Sequence, residues 1–156
     1  MTTTVTTATT VTTATTAVNP TSWADLQLGV AAASFTDTPL TRTDFVRYQG
    51  ASGDMNPIHH DEQFARAAGF PTVFAVGMLQ AGILATYATD WLGAANIRRF
   101  QVQFREQAWP DDVLTYSGSV VGRREKDGRR LVDVELTATR QTGGVHIKGS
   151  ATFAVA

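Results

Sequence analysis

The spacing of apolar residues changes along the chain, and the change separates a helical region from a region of strands. Residues 73–93 are apolar on nearly every side of a helix as far as Tyr87, and such a helix is normally buried within a protein. From residue 99 onward, apolar and polar residues alternate, which indicates strands with one apolar face. The pattern therefore predicts one buried helix followed by an antiparallel sheet that is polar on its other face.

The alternating region divides into separate strands joined by glycine-containing turns. Hairpin turns are predicted at Asp127-Gly128 and at Gly143-Gly144. The predicted strands lie at 99–105, 112–123, 132–139 and 145–155, with an earlier strand near 29–38. We interpret them as an antiparallel meander. The apolar face of the sheet and the apolar helix can bury each other if the sheet wraps around the helix. This gives an α+β fold with a long central helix.

The last predicted strand has a marked division between its two faces. Val145, Ile147 and Phe153 lie on one face, opposite His146 and Lys148. Because successive side chains of a strand point to opposite faces, we expect His146 to lie on the polar face of the sheet.

Two short helices are predicted before the apolar one. Residues 41–50 begin with Thr41, followed three residues later by Asp44, a spacing that resembles a capping box. Gly50 can end this first helix. Residues 61–70 form the second helix, which starts with acidic residues that suit a helix N-terminus.

The first eighteen residues differ in composition from the rest of the chain, being mostly Thr, Val and Ala. This low-complexity pattern has neither the basic start and apolar run of a signal peptide nor the arginines of a transit peptide. We expect residues 1–18 to be a disordered tail, with an additional edge strand as the alternative. Residues 19–156 are then expected to form a single domain.

Composition narrows the classes of function. Charged residues make up 17% of the 156 residues and the formal net charge is −1, so no basic surface indicates nucleic-acid binding. There are no cysteines, which excludes disulfides and thiolate metal sites and fits a cytoplasmic location. The apolar stretch within 73–93 is too short and too interrupted by polar residues to span a bilayer, so no membrane association is expected.

Candidate chemistry is concentrated in residues 52–62, SGDMNPIHHDE. Pro57 blocks a regular helix, and Asn56 can form an Asx turn over it. Such a turn could bring Asp54 and His59 to one cleft, where a carboxylate and a neutral imidazole can polarise a shared water. From these residues alone the alternative stays open that Asp54 caps the next turn and His59 packs in the core.

A metal site is the third interpretation of this segment. It would need three or more converging ligands, whereas the neighbouring His59 and His60 point apart. We therefore expect no metal.

Residues 48–82 resemble the signature of the MaoC-like dehydratases, the R-specific enoyl-CoA hydratases. The family core Gly-Asp-x-Asn-Pro-x-His is matched by Gly53, Asp54, Asn56, Pro57 and His59, and a second element by Ala75, Gly77 and Met78. The resemblance extends over about 28–156 and includes a turn at WPDD similar to the family's Pro-Gly-Asp turn. It implies the hot-dog fold, an antiparallel sheet wrapped around a long helix.

The resemblance also implies an activity, the reversible hydration of 2-enoyl thioesters of coenzyme A or acyl carrier protein to (R)-3-hydroxyacyl thioesters. Asp54 and His59 would activate the water, and the Gly77 backbone N–H would stabilise the thioester oxyanion; a helix-packing role for Gly77 is the alternative. Asn56, Val76 and Met78 are candidate substrate-binding residues, although Asn56 also shapes the turn. No cofactor is expected beyond the coenzyme A or carrier protein of the substrate.

Two departures from the family pattern leave other functions open. Val76 stands where the family has histidine, and Ala85 stands where some relatives have a hydroxyl. The resemblance implies a homodimer. The alternatives are a subunit of a heteromeric dehydratase, a non-catalytic acyl-thioester-binding protein, and a thioesterase.

Five cationic residues flank the Asp127-Gly128 turn. They would meet the phosphates of coenzyme A or an acidic carrier protein, or else form a solvated hairpin tip. They are Arg123, Arg124, Lys126, Arg129 and Arg130.

Overall fold

A computed structural model describes residues 22–156. The predicted tail of residues 1–18 and the predicted domain start at residue 19 lie outside the described residues. The helices are α1 (Arg42–Ser52), α2 (Glu62–Ala67) and α3 (Gly77–Leu92), and the strands are β1 (Phe35–Thr36), β2 (Ile97–Phe104), β3 (Leu114–Lys126), β4 (Arg129–Arg140) and β5 (Val145–Val155).

The five strands form one antiparallel sheet in the order β1-β3-β4-β5-β2. The prediction of a simple meander is right for β3, β4 and β5 but wrong for β2. This strand pairs with β5 at the far edge, and the connector 105–113 carries the chain back across the sheet to β3. The alternation within each strand does not determine which strands become neighbours.

Helix α3 is the central element of the core, as predicted. It contacts all four long strands, and Leu84, Ala88 and Leu92 on it are fully buried. Gly118 on β3 allows close packing, because a Cβ there would lie 3.3 Å from the Tyr87 ring of α3. The sheet wraps around the helix, which confirms the predicted α+β hot-dog architecture. None of the helices in the described residues combines the length and apolarity needed to cross a membrane.

The capping box at the start of α1 is present. The Thr41 side chain accepts a hydrogen bond from the Asp44 N–H at 3.2 Å, and the Asp44 carboxylate accepts one from the Thr41 N–H at 2.9 Å. The predicted end at Gly50 is wrong, because the helix continues to Ser52 and stops at Gly53, whose φ of 76° is left-handed. This end places Asp54 immediately beyond the helix.

The predicted strand at 29–38 is regular only at Phe35–Thr36. The preceding residues still run beside β3, with a single bridge between Ala31 and Ser119 and a hydrogen bond from the Gly29 N–H to the Val120 carbonyl at 2.9 Å. The regular ladder is missing between the Ala31–Ser119 bridge and the pairing of Phe35 with Tyr116.

The predicted orientation of His146 is also wrong. In the pairing of β4 with β5, Ala138 faces Ile147 and Thr139 faces Val145, so His146 is an extra residue in a β-bulge. The bulge breaks the alternation, and the His146 side chain is only 3% exposed.

Candidate active site

The loop after α1 is shaped by the residues that the sequence singled out. The Asn56 side-chain oxygen accepts a hydrogen bond from the Ile58 N–H at 3.1 Å, which is the predicted Asx turn. Pro57 opens a single 3₁₀ turn, Pro57–His59, because its fixed φ suits a first helical position. The turn therefore reverses the chain between Asp54 and His59 instead of extending α1.

A buried side chain that the sequence did not reveal supports this loop. Gln49, 3% exposed, donates from its Nε2 to the carbonyl oxygens of Asp54 and Asn56 at 2.8 and 3.0 Å. Its Oε1 lies 3.0 Å from His60 Nδ1, which donates to it. Because a buried amide with several partners is held in one orientation, Gln49 fixes the backbone on both sides of Met55.

The tautomer of His59 follows from its hydrogen bond. Its Nδ1 lies 2.8 Å from the carbonyl oxygen of Phe74, which can only accept, so Nδ1 carries a proton. In the neutral imidazole the other nitrogen, Nε2, then has a free lone pair. The ring is buried and its edge packs against the Phe74 ring with the centroids 5.1 Å apart.

Asp54 and His59 lie together, as predicted. His59 Nε2 is 3.9 Å from Asp54 Oδ2, too long for a direct hydrogen bond but within reach of one shared water. The other carboxylate oxygen, Oδ1, accepts from the Asn56 N–H at 3.2 Å. The Asp54 side chain is 44% exposed, whereas the His59 side chain is 9% exposed. The carboxylate is therefore open to solvent and the imidazole is buried.

Both side chains line a cleft of about 250 Å³ at the start of α3. Val76, Gly77 and Met78 also line it, whereas Asn56 does not. Substrate contact by these residues stays a prediction, and the observed hydrogen bond of Asn56 supports its role in the turn. The remaining lining residues are Phe74, Ala75, Phe104, Arg105, Glu106, Gln107 and His146.

The N-terminus of α3 lies at this cleft, where Val76, Gly77 and Met78 line the wall. Val76 is the N-cap residue and supplies no side-chain cap. The Leu79 N–H donates to the Val76 carbonyl at 2.9 Å, whereas the Gly77 and Met78 N–H groups have no intrahelical or capping partner. Such amides carry partial positive charge and suit a developing oxyanion. Gly77 also packs closely against a ring, since a Cβ there would lie 2.6 Å from Phe104 Cε1.

A second histidine lies at the cleft and was not predicted as a site residue. His146 donates from Nδ1 to the carbonyl of Glu106 at 2.6 Å, which leaves Nε2 as a hydrogen-bond acceptor. Burial lowers the pKa of His146, so the ring is neutral at pH 7. The Phe104 ring lies beside it with the centroids 6.1 Å apart.

The sequence predicts no metal at this site. Within residues 22–156, no three His, Asp or Glu side chains converge as metal ligands. The expectation of a metal-free site stays a prediction.

Several of the cationic residues near the Asp127-Gly128 turn are engaged in the fold. Arg123 stacks on the Trp23 ring at 4.1 Å and donates to its carbonyl, and Arg124 pairs with Asp133. An open groove of about 630 Å³ is lined by Arg124, Lys126 and Arg129 but by none of the candidate catalytic residues. Phosphate binding there stays a prediction.

The profile of the MaoC-like domain family matches residues 27–142, which is most of the chain. The chain therefore belongs to the MaoC-like dehydratase family. It is 30% identical to the (R)-specific enoyl-CoA hydratase of Rhodospirillum rubrum over 127 residues, covering 80% of this chain and 85% of that protein. The resemblance inferred from residues 48–82 is thus confirmed.

Two mycobacterial relatives extend the comparison. The chain is 34% identical over 96 residues to enoyl-CoA hydratase ChsH3 of Mycobacterium tuberculosis, which covers 60% of this chain. It spans only 32% of the length of that protein. The crystal structure of the ChsH1-ChsH2 complex from the same organism superposes with a TM-score of 0.71 at 23% identity, covering 83% of this chain and 98% of that chain.

Proposed function

We propose that the protein catalyses the reversible hydration of trans-2-enoyl thioesters to (R)-3-hydroxyacyl thioesters, with coenzyme A or acyl carrier protein as the thiol. The observation that carries the proposal is the 3.9 Å separation of His59 Nε2 from Asp54 Oδ2 beside the free amides of α3. The hydratase activity of the Rhodospirillum rubrum relative, which the chain matches over most of its length, supports it.

In this mechanism one water is held between the two side chains. His59 Nε2 accepts a proton from the water, because its Nδ1 is already committed to the Phe74 carbonyl. The water oxygen forms a bond to the β-carbon as the carbon–carbon double bond shifts electrons toward the thioester. A proton is returned to the α-carbon, so that one water is added across the double bond and nothing else is consumed.

The negative charge that develops on the thioester oxygen needs a donor in place before the reaction. The Gly77 N–H at the uncapped N-terminus of α3 is suited to this, and a preorganised donor of this kind lowers a barrier by about 3 kcal/mol in other enzymes. The absence of a side chain on Gly77 lets the substrate approach the backbone.

The sheet edge next to the cleft favours association with a second hot-dog subunit. β2 is a long edge strand, and Phe104 on it is 49% exposed beside Met78, which is 56% exposed. An exposed edge strand is a template for pairing with another chain. Contiguous exposed apolar side chains mark interaction surfaces. We propose a homodimer acting on substrate in the cytoplasm. A heteromeric dehydratase subunit is the second candidate, because the neighbouring structure is a complex of ChsH1 with ChsH2.

The proposal is tested with the purified chain and crotonyl-coenzyme A. Loss of the conjugated thioester's absorbance without release of free thiol is the expected result. Thiol release would show a thioesterase, and saturable binding without turnover would show an acyl-binding protein. Activity that appears only after a related hot-dog subunit is added would favour the heteromer over the homodimer.

A further inference from the structure

A β-bulge in the pairing of β5 with β4 places His146 at the cleft. The bulge in β5 turns this one side chain out of the alternating pattern, and it becomes a wall of the same cleft as Asp54 and His59. Bulges are enriched beside active sites, where they redirect a side chain.

The imidazole of His146 has one satisfied and one unsatisfied nitrogen. Nδ1 donates to the Glu106 carbonyl, whereas Nε2 is buried and has no hydrogen-bond partner anywhere in residues 22–156. Leaving a buried acceptor unpaired is unfavourable, and each such group in a folded protein calls for an explanation, of which a functional partner is one. Since the ring is neutral, the missing partner is a hydrogen-bond donor rather than an anion.

The position of His146 relative to the start of α3 indicates which part of a ligand supplies that donor. The Phe104 ring contacts Gly77 and lies beside His146, with the two ring centroids 6.1 Å apart, and all three residues line the same cleft. That ring is half exposed and can move, so we take a ligand bound at the Gly77 N–H to displace it and to extend toward His146 Nε2. An acyl thioester bound with its carbonyl at Gly77 carries its first amide one ethylene unit beyond the sulfur.

We propose that His146 Nε2 accepts a hydrogen bond from the first amide N–H of the pantetheine arm and so positions the thioester at Gly77. This inference rests on the proposed function, because it takes the ligand to be an acyl thioester. The amide is common to coenzyme A and carrier-protein substrates, so His146 would serve either. It is a binding contact that acts on both ground state and transition state.

The test pairs a truncated substrate with a substitution. Crotonyl-N-acetylcysteamine keeps the amide, and S-ethyl thiocrotonate lacks it. We expect His146→Leu to raise KM about tenfold more for the first thioester than for the second, with a smaller change in kcat. His146→Gln, which can present an acceptor oxygen, should recover part of the difference. Equal losses with both thioesters, or none with either, would overturn the proposal.

A binding measurement keeps the inference testable if the variant misfolds or the wild-type protein is inactive. Histidine ¹⁵N spectra of the wild type, titrated with unreactive butyryl-N-acetylcysteamine, should show the Nε2 resonance of His146 moving toward the values of a hydrogen-bonded nitrogen. The same titration with S-ethyl thiobutyrate should leave it in place. Hydration of crotonyl-coenzyme A without any such shift would overturn the role of His146 while leaving the proposed function intact.

A separate comparison distinguishes coenzyme A from acyl carrier protein as the thiol that carries the amide. Crotonyl-coenzyme A and crotonyl acyl carrier protein are assayed with the wild type and with His146→Leu. A loss of similar size on both thioesters is expected, since both contain the amide, and the wild-type preference identifies the source. A loss confined to one of them would overturn a contact with the shared arm.

Discussion

Gln49 Nε2 donates to the backbone carbonyl oxygen of Asp54 at 2.8 Å, so the backbone that carries the Asp54 carboxylate is held by a side chain from the preceding helix. The same amide binds the Asn56 carbonyl, and Gln49 is almost fully buried. The geometry of the proposed catalytic pair therefore depends on a residue that does not line the cleft.

Replacing Gln49 by Met tests this support. Met fills similar volume but leaves two backbone carbonyls without their donor, which we expect to lower the free energy of unfolding by about 1–3 kcal/mol. Hydration of crotonyl-coenzyme A should fall by at least about tenfold, because the carboxylate loses its fixed position. Gln63→Met on the exposed surface of α2 is the matched control. Equal activity in the two variants would contradict the positioning role.

Gly77→Ala tests the approach to the first amide of α3. The new methyl would meet the Phe104 ring at 2.6 Å, but that ring is half exposed and can move. We therefore expect a stability change below about 1 kcal/mol and a loss of hydratase activity of about tenfold or more. Gly82→Ala on the same helix, where a Cβ meets nothing within 4 Å, should keep its activity and gain up to about 1 kcal/mol. A fully active Gly77→Ala enzyme would exclude close substrate approach here.

Asp111, in the turn before β3, has a strained backbone conformation that a glycine would relieve. Asp111 has a φ of 69° and follows Pro110, and the Asp112 N–H donates to the Trp109 carbonyl at 3.2 Å, which is the pattern of a type II turn. Glycine suits the third position of such a turn, so Asp111→Gly should raise the free energy of unfolding by about 0.5–1 kcal/mol. Asp111→Ala should lower it. The two variants are compared by urea unfolding, and the same sign for both would contradict the explanation.

The pH dependence of stability should report the burial of His146. Burial is the largest cause that lowers its pKa, with Arg140 acting in the same direction and the Glu106 carbonyl and Asp112 opposing it. The unfolded chain then binds a proton more readily than the folded chain, so stability is lost as the pH falls below the ordinary histidine value of 6.5. His146→Gln should show a smaller loss between about pH 7.5 and about pH 5.5 than the wild type. An unchanged slope in urea-unfolding curves would contradict this origin.

Features that depend on neighbouring residues could be predicted from the sequence. The capping box of Thr41 with Asp44, the Asx turn at Asn56 and the alternation of β3 and β4 are all present. Each arises from interactions within a few residues, and those interactions fix the local backbone wherever the segment lies in the fold.

Features that depend on residues distant in the chain could not be predicted from the sequence. The position of β2 beside β5 arises from pairing between segments about fifty residues apart, such as Gln101 with Ser150. His146 is turned inward by a bulge in the pairing of β5 with β4, and its partner is the carbonyl of Glu106, 40 residues earlier in the chain. In the sequence Gln49 is one polar residue of a predicted helix, because its partners, the carbonyls of Asp54 and Asn56, reach it only when the loop folds back. The family signature identified Asp54 and His59, but it contains no information about Gln49 or His146.

The most direct measurement for the central claim is the rate of crotonyl-coenzyme A hydration by Asp54→Asn, compared with Asp61→Asn. Both substitutions remove one carboxylate charge, from Asp54 in the cleft or from Asp61, two residues after His59. Asp61 only caps α2 through hydrogen bonds from the Gln63 and Phe64 amides, and asparagine caps equally well. We predict a rate at least about 100-fold lower for Asp54→Asn and within about threefold of the wild type for Asp61→Asn. Equal rates in the two variants would contradict the assignment of Asp54 and His59 as the pair that activates water.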